Sequence, residues 1–268
     1  MTPGTRWVEG PAGPLEVLTA GRGEPGTVFA HGVGADIGST RPFASGVRGA
    51  RTFFHFRGHG ASVLPDLPWS YADLAAELRA VADHVAASRA VGISMGAGAV
   101  LRLLAETPDR FERVVLVLPA TVDQPRRGHG VDELQRLGRR LAEGDDAAAL
   151  EFFESDAGAG SAAAAAARDW ARDMAAEVTG GRLRRAGLAR ALTTMPGQAP
   201  LADPEPLRQV RRPVLVLGQD GDAVHPAYVA RHLGELLPRA TVHVLPPGGL
   251  LWAHRDEVRR LVGGFLSG

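Results

Sequence analysis

Residues 91–98 read VGISMGAG, and the reading of this stretch decides the rest. RAVGIS is a short apolar run with the character of a buried strand. MGAGAVLRLLAETP is a helix-forming run that stops near Pro108. Ser94 stands where the strand turns into the helix, with Gly92 and Gly96 two positions to either side. A sharp strand-to-helix turn needs small residues flanking it, and it lifts the serine hydroxyl clear of the sheet. It also aims the unpaired N–H groups of the first helical turn at any developing oxyanion. Ser94 is therefore a candidate nucleophile. The five-residue pattern by itself also describes an inert serine in a glycine-rich turn, so its weight comes from its setting and from whether a base is supplied.

Working outward, the same alternation of strand and helix recurs. LEVLTA, GTVFAHG and RTFFHFRG read as strands bounded by glycine. YADLAAELRAVADHVAA carries apolar residues at helical spacing, with Ser70 as its N-cap. FERVVLVLPA and RRPVLVLGQD are further buried strands. HPAYVARHLGELLP is a helix, ATVHVLPP a strand and RDEVRRLVGGFL a closing helix. Strands alternating with helices predict an α/β fold, a mostly parallel sheet with helices on both faces. From about 121 to 206 strand candidates vanish. VDELQRLGRRLAEG, DAAALEFFESD, AAAAAARDWARDMAAEV and RLRRAGLARALTTM look like four helices, the alanine run reflecting the helix propensity of alanine. The expected organisation is a core of residues 1–120 and 207–268, interrupted by a helical cap of residues 121–206 over the carboxyl edge of the strands, where open α/β sheets bind ligands.

Composition narrows the function classes. The chain has 268 residues, 45% of them hydrophobic, enough for one large α/β domain. Thirty basic and thirty acidic residues balance, so no global field favours nucleic acid or a membrane surface. Without cysteine there are no disulfides or thiolate metal sites. Neither lysine nor asparagine occurs, which reads as GC-rich codon bias. No apolar run has the length of a membrane span and the N-terminus does not resemble a signal peptide, so a cytoplasmic protein is expected. No cofactor or metal is implied.

His31-Gly32-Val33-Gly34 closes the strand GTVFA. A glycine-rich turn there aims a backbone N–H toward the serine, so the Val33 and Met95 amides are the expected oxyanion hole. The His31 side chain is expected to be structural. Four segments in order, VFAHGVGA, FFHFRGHGAS, VGISMGAG and RPVLVLGQDGDAVHP, together resemble the α/β-hydrolase fold family, over nearly the whole chain from Leu15 to Leu266. The resemblance makes Arg57-Gly58-His59-Gly60 a structural turn near the site. It also implies an acid after the next-to-last strand. Asp222 fits, followed by the proline that starts a helix, and Asp220 is the lesser candidate.

The resemblance further implies a histidine after the final strand, and here the sequence departs from it. That loop reads VHVLPPGGLLWAHRDEV, and the expected position falls between Gly248 and Leu250. None of these residues is histidine. His225, three residues after Asp222, is the leading substitute. His254, at the start of the last helix, is the second. The third reading is that nothing replaces the base. Arg182, Arg185 and Arg190 on one cap helix face either hold an anionic substrate group or form a solvated face, the latter favoured.

The function expected is hydrolysis of a small ester, thioester or lactone through Ser94, with Asp222 supporting a relocated base and a non-standard or degenerate triad. The alternatives are a cyclase or lyase that uses the oxyanion hole and pocket without the full triad, or a catalytically silent binding protein. The expected partner is an apolar small molecule with a carbonyl group, its pocket walled by some of Leu141, Phe152, Phe153, Trp170 and Met174. Oligomeric state is left open.

Overall fold

The computed structural model describes residues 4–66, 68–157 and 164–268. Eight strands form one sheet: β1 (Arg6–Gly10), β2 (Gly13–Ala20), β3 (Thr27–Ala30), β4 (Arg51–Phe54), β5 (Arg89–Ile93), β6 (Arg113–Val117), β7 (Val214–Gln219) and β8 (Ala240–Leu245), in the order β1-β2-β4-β3-β5-β6-β7-β8. β2 pairs antiparallel with both β1 and β4, and every other neighbour is parallel. The helices are α1 (Ile37–Thr40), α2 (Tyr71–His84), α3 (Met95–Glu106), α4 (His129–Ala142), α5 (Ala147–Ala157), α6 (Ala164–Thr179), α7 (Arg182–Thr194), α8 (Ala227–Leu236) and α9 (Arg255–Ser267).

The apolar strands are continuous because both faces of the sheet are covered. Val28, Val114, Leu116, Val214 and Val216 point into a core shared with Leu74 and Leu78 of α2, Val100 of α3 and Leu233 of α8. Their neighbours Phe29, Val115, Val117, Leu215 and Leu217 point the other way, onto Val258, Val262 and Leu266 of α9. A slip of one residue would exchange the two cores, so the pairing register is tightly specified. Helix α2 begins as its sequence predicts. Ser70 accepts the Asp73 N–H while the Asp73 carboxylate accepts the Ser70 N–H, a reciprocal cap that stabilises the helix by about 1 kcal/mol.

β1 was not expected from the sequence. Of RWVEG only Val8 is buried, so its period-2 signal is a single residue. Between β6 and β7 the chain forms α4–α7, with their own apolar cluster. The start of the alanine run, residues 162 and 163, lies outside the described residues, and 164–167 are helical as expected. This insertion packs over the carboxyl ends of the strands. A side chain at Gly34, just past β3, would strike the Phe152 and Phe153 rings and Leu188, and α7 closes on the core where Gly187 meets the Gly58 carbonyl. Among the described residues no helix is long and apolar enough to cross a membrane.

Candidate active site

Ser94 sits between β5 and α3 with φ 50° and ψ −109°, a conformation that L-residues rarely adopt and that costs on the order of 1–3 kcal/mol. The turn is held by its surroundings. The Ser94 N–H donates to the Val117 carbonyl at the end of β6 (2.9 Å), and the Ser94 carbonyl accepts from Gly98 (3.1 Å). The flanking glycines are demanded by contact: a Cβ on Gly92 would lie 2.6 Å from the Gly96 carbonyl oxygen, and one on Gly96 would enter the Ala30 carbonyl.

The base question has a geometric answer. His225 Nε2 lies 2.8 Å from Ser94 Oγ, and His225 Nδ1 lies 3.0 Å from Asp222 Oδ2. The other carboxylate oxygen of Asp222 accepts the N–H groups of Val224 (2.9 Å) and His225 (2.8 Å). Burial raises the Asp222 pKa, but the hydrogen bonds from His225 and the two amides outweigh it and hold the carboxyl below its ordinary value. Acid and imidazole thus stand three residues apart on the single β7–α8 loop. Asp220 points elsewhere, its carboxylate meeting Arg231.

His254 takes no part in this cluster. It forms the N-cap of α9, with its Nε2 facing the Pro247 carbonyl at 3.4 Å. The loop after β8 is a short π-helical turn, Gly249–Ala253. Leu250 is buried in the α9-side core, and Trp252 packs edge-on against Trp170 of α6 at 6.0 Å between ring centres.

Of the two residues expected to form an oxyanion hole, Met95 follows Ser94 as the first residue of α3, and Val33 follows Gly32, where a Cβ would lie 3.4 Å from the Ser94 Cβ; no backbone acceptor for either amide is found among the described residues.

The loop carrying Val33 is gripped by three buried histidines. His31 Nδ1–H donates to the Gly32 carbonyl (2.7 Å) and its Nε2 accepts the Phe56 N–H (3.0 Å). His59 Nε2 accepts the Gly34 N–H (3.1 Å) while its Nδ1–H donates to the Arg57 carbonyl (3.0 Å). His55 Nε2 accepts the Ile37 N–H, with Glu16 on its other nitrogen, both at 3.0 Å. A ring nitrogen that accepts a backbone N–H carries no proton. Burial, reinforced by neighbouring histidines, lowers the His31 pKa well below the ordinary value and brings that of His59 to about 4. Arg57, paired with Glu77 and Asp73, braces the turn that presents His59. Sequence reading took His31 and His59 as structural residues and did not single out His55.

The cap contributes less to an open pocket than its composition suggested. Leu141, Phe152 and Phe153 close the cap's own core, and Trp170 is spent on Phe153 and Trp252. Met174, with Val178 and Leu188, lines a cavity of about 30 Å³ against His55 and His59, room for roughly one water. Two of the three cap arginines are engaged as well. Arg185 pairs with Asp146, and Arg190 donates to the Pro65 carbonyl, so neither is free for a substrate anion.

A residue that sequence reading missed is Arg126, between β6 and α4. Its Nη1 donates to the Val224 carbonyl (3.1 Å) on the loop carrying Asp222 and His225.

The sequence matches the model of the alpha/beta hydrolase family over residues 27–261. The chain belongs to that family. No curated protein sequence matches it. Among solved structures, this family member is similar to an esterase from Exiguobacterium antarcticum (16% identity, TM-score 0.81, covering 98% of this chain and 99% of that one). It is also similar to the enol-lactonase of Burkholderia xenovorans LB400 (18% identity, TM-score 0.81, covering 98% and 100%). A third is the 2-hydroxy-6-oxo-6-phenylhexa-2,4-dienoate hydrolase of Rhodococcus sp. strain RHA1 (21% identity, TM-score 0.79, covering 98% and 99%). At these identities the likeness speaks for the fold.

Proposed function

We propose that the protein is a serine hydrolase that cleaves a small ester, thioester or lactone through a triad whose histidine has moved. The observation that carries this is the contact between His225 Nε2 and Ser94 Oγ at 2.8 Å, with Asp222 on the far ring nitrogen. In this reading His225 accepts the Ser94 proton as Oγ attacks the carbonyl carbon. The Asp222 carboxylate holds the Nδ1–H tautomer and stabilises the imidazolium that forms. The Val33 and Met95 amides receive the oxyanion. Collapse of the tetrahedral intermediate expels the alcohol or thiol, which takes its proton from His225. Water, deprotonated by the same imidazole, then releases the acyl group. Residues 121–206 act as the cap, with Phe152, Phe153 and Leu188 packed directly onto the loop that carries Val33.

The cyclase, lyase and silent-binder readings rested on the lack of an imidazole for Ser94, and the observed contact takes that motive away. The esterase and lactonase named above support hydrolysis through their shared fold only. A fluorophosphonate probe tests the proposal: fast, stoichiometric labelling that Ser94→Ala abolishes is expected, and labelling no faster than that of the variant contradicts it.

A further inference from the structure

When acid and base share one loop, the Asp222–His225 pair is self-contained. Its hydrogen bonds are local, and a drift of the loop carries both residues along. What drift destroys is the distance to Ser94, which stands on a different element 131 positions away. Such a site needs an anchor between the loop and the rest of the molecule. The outer side of the loop faces solvent, with Val224 37% exposed.

We propose that Arg126 is the positioning residue that holds this loop at bonding distance from Ser94, a role that rests on the hydrolase reading above. Its Nη1 takes the Val224 carbonyl, one residue before His225, and it comes from the β6–α4 connection, 98 positions away in sequence. Its Nε is buried without a hydrogen-bond partner, and no carboxylate lies within ion-pair reach among the described residues. Burial draws its pKa below the ordinary arginine value, opposed by Tyr71, Asp222 and Tyr228 around it. Arg126 as a whole is half-buried, but its Nε is buried with no partner, and a buried donor left unpaired is costly, which calls for a role beside the acid–base loop. Anchoring through a carbonyl leaves the Asp222 carboxylate oxygens to His225 and the loop amides. Arg126 touches no reacting atom.

The test compares wild type with Arg126→Met, which keeps the apolar stem and removes every donor, and with Arg126→Lys, which restores a cation and a donor. A displacement of about 1 Å at a reacting pair costs on the order of 10²-fold in rate, so fluorophosphonate labelling of Arg126→Met should slow by about that factor. Labelling of Arg126→Lys should lie in between. KM for p-nitrophenyl acetate and the melting temperature should stay near wild type, and the low-field proton NMR signal of the Asp222–His225 bond should persist. Labelling of Arg126→Met at the wild-type rate overturns the proposal. So does loss of the low-field signal together with activity, because Arg126 would then shape the loop itself and not place it. If Arg126→Met fails to fold, Arg126→Leu, which likewise has no side-chain donor, is read by the same criteria. Wild-type labelling as slow as Ser94→Ala removes the hydrolase reading, and this role with it. Fast wild-type labelling that the Arg126 variants share removes this role alone.

Discussion

Ser94 holds a backbone conformation that favours glycine, and the strain has a measurable consequence. Ser94→Gly should raise the unfolding free energy by about 1 kcal/mol while removing all turnover, whereas Ser94→Ala should remove turnover without that gain. Calorimetry on the two variants checks this, and equal melting temperatures would contradict it. His59 gives a second prediction at this scale. Its folded pKa is about 4 against an ordinary 6.5, so between these values the unfolded chain binds a proton that the folded chain refuses. Stability from His59 is therefore fully present above pH 6.5 and is lost as pH falls toward 4, about 3 kcal/mol in all. His31 acts in the same direction, and Asp222, lowered below its ordinary value, adds a loss at still lower pH. Urea unfolding from pH 7 to 4 should show the decline, and His59→Gln, whose amide oxygen can still accept the Gly34 N–H, should flatten it.

At the scale of elements, the loop after β8 has little room for a histidine at the positions where the family resemblance led one to be expected. Gly248 has φ 131°, and a Cβ there would meet Ala253 Cβ at 2.8 Å, while Leu250 fills the core under α9. Leu250→His should therefore destabilise the protein by roughly 2–4 kcal/mol, and Gly248→His should be strained; under the proposed function neither should raise ester hydrolysis, because the His225 ring already lies 2.8 Å from Ser94 Oγ. Hydrolysis assays and melting curves on both variants check this, and a gain in turnover would contradict it. Much of the site was legible at this scale. The Ser94 elbow is a local pattern, and its strand and helix fall where the residues put them. His225 emerged as the leading substitute because it follows Asp222 on the same loop, with His254 second. The structure keeps His254 at the N-cap position of α9, where the sequence put it, with its ring facing the Pro247 carbonyl and not Ser94. Arg126 was illegible because its contact spans distant sequence. β1 was missed because one buried residue makes no pattern.

For the whole molecule, two-sided burial of the sheet made the α/β architecture readable from continuous apolar strands. The cap was readable as helices, but not in its packing. Helical periodicity marks an apolar face without saying whether that face meets a pocket or its own neighbours. Leu141 and Phe153 turn to their neighbours, while Met174 reaches the cavity. The central claim is that Ser94 and His225 work as one unit supported by Asp222. Members of such a unit are strongly non-additive, since removing one already forfeits what the others supply. The direct measurement is a double-mutant cycle in kcat for p-nitrophenyl acetate, using Ser94→Ala, His225→Gln and both together, with His254→Gln as the reference. Each single triad variant should lose turnover by orders of magnitude, up to about 10⁶-fold, the double should be no worse than either single, and His254→Gln should stay near wild type. Additive losses in the double variant, or near-wild-type turnover by His225→Gln, would contradict the account.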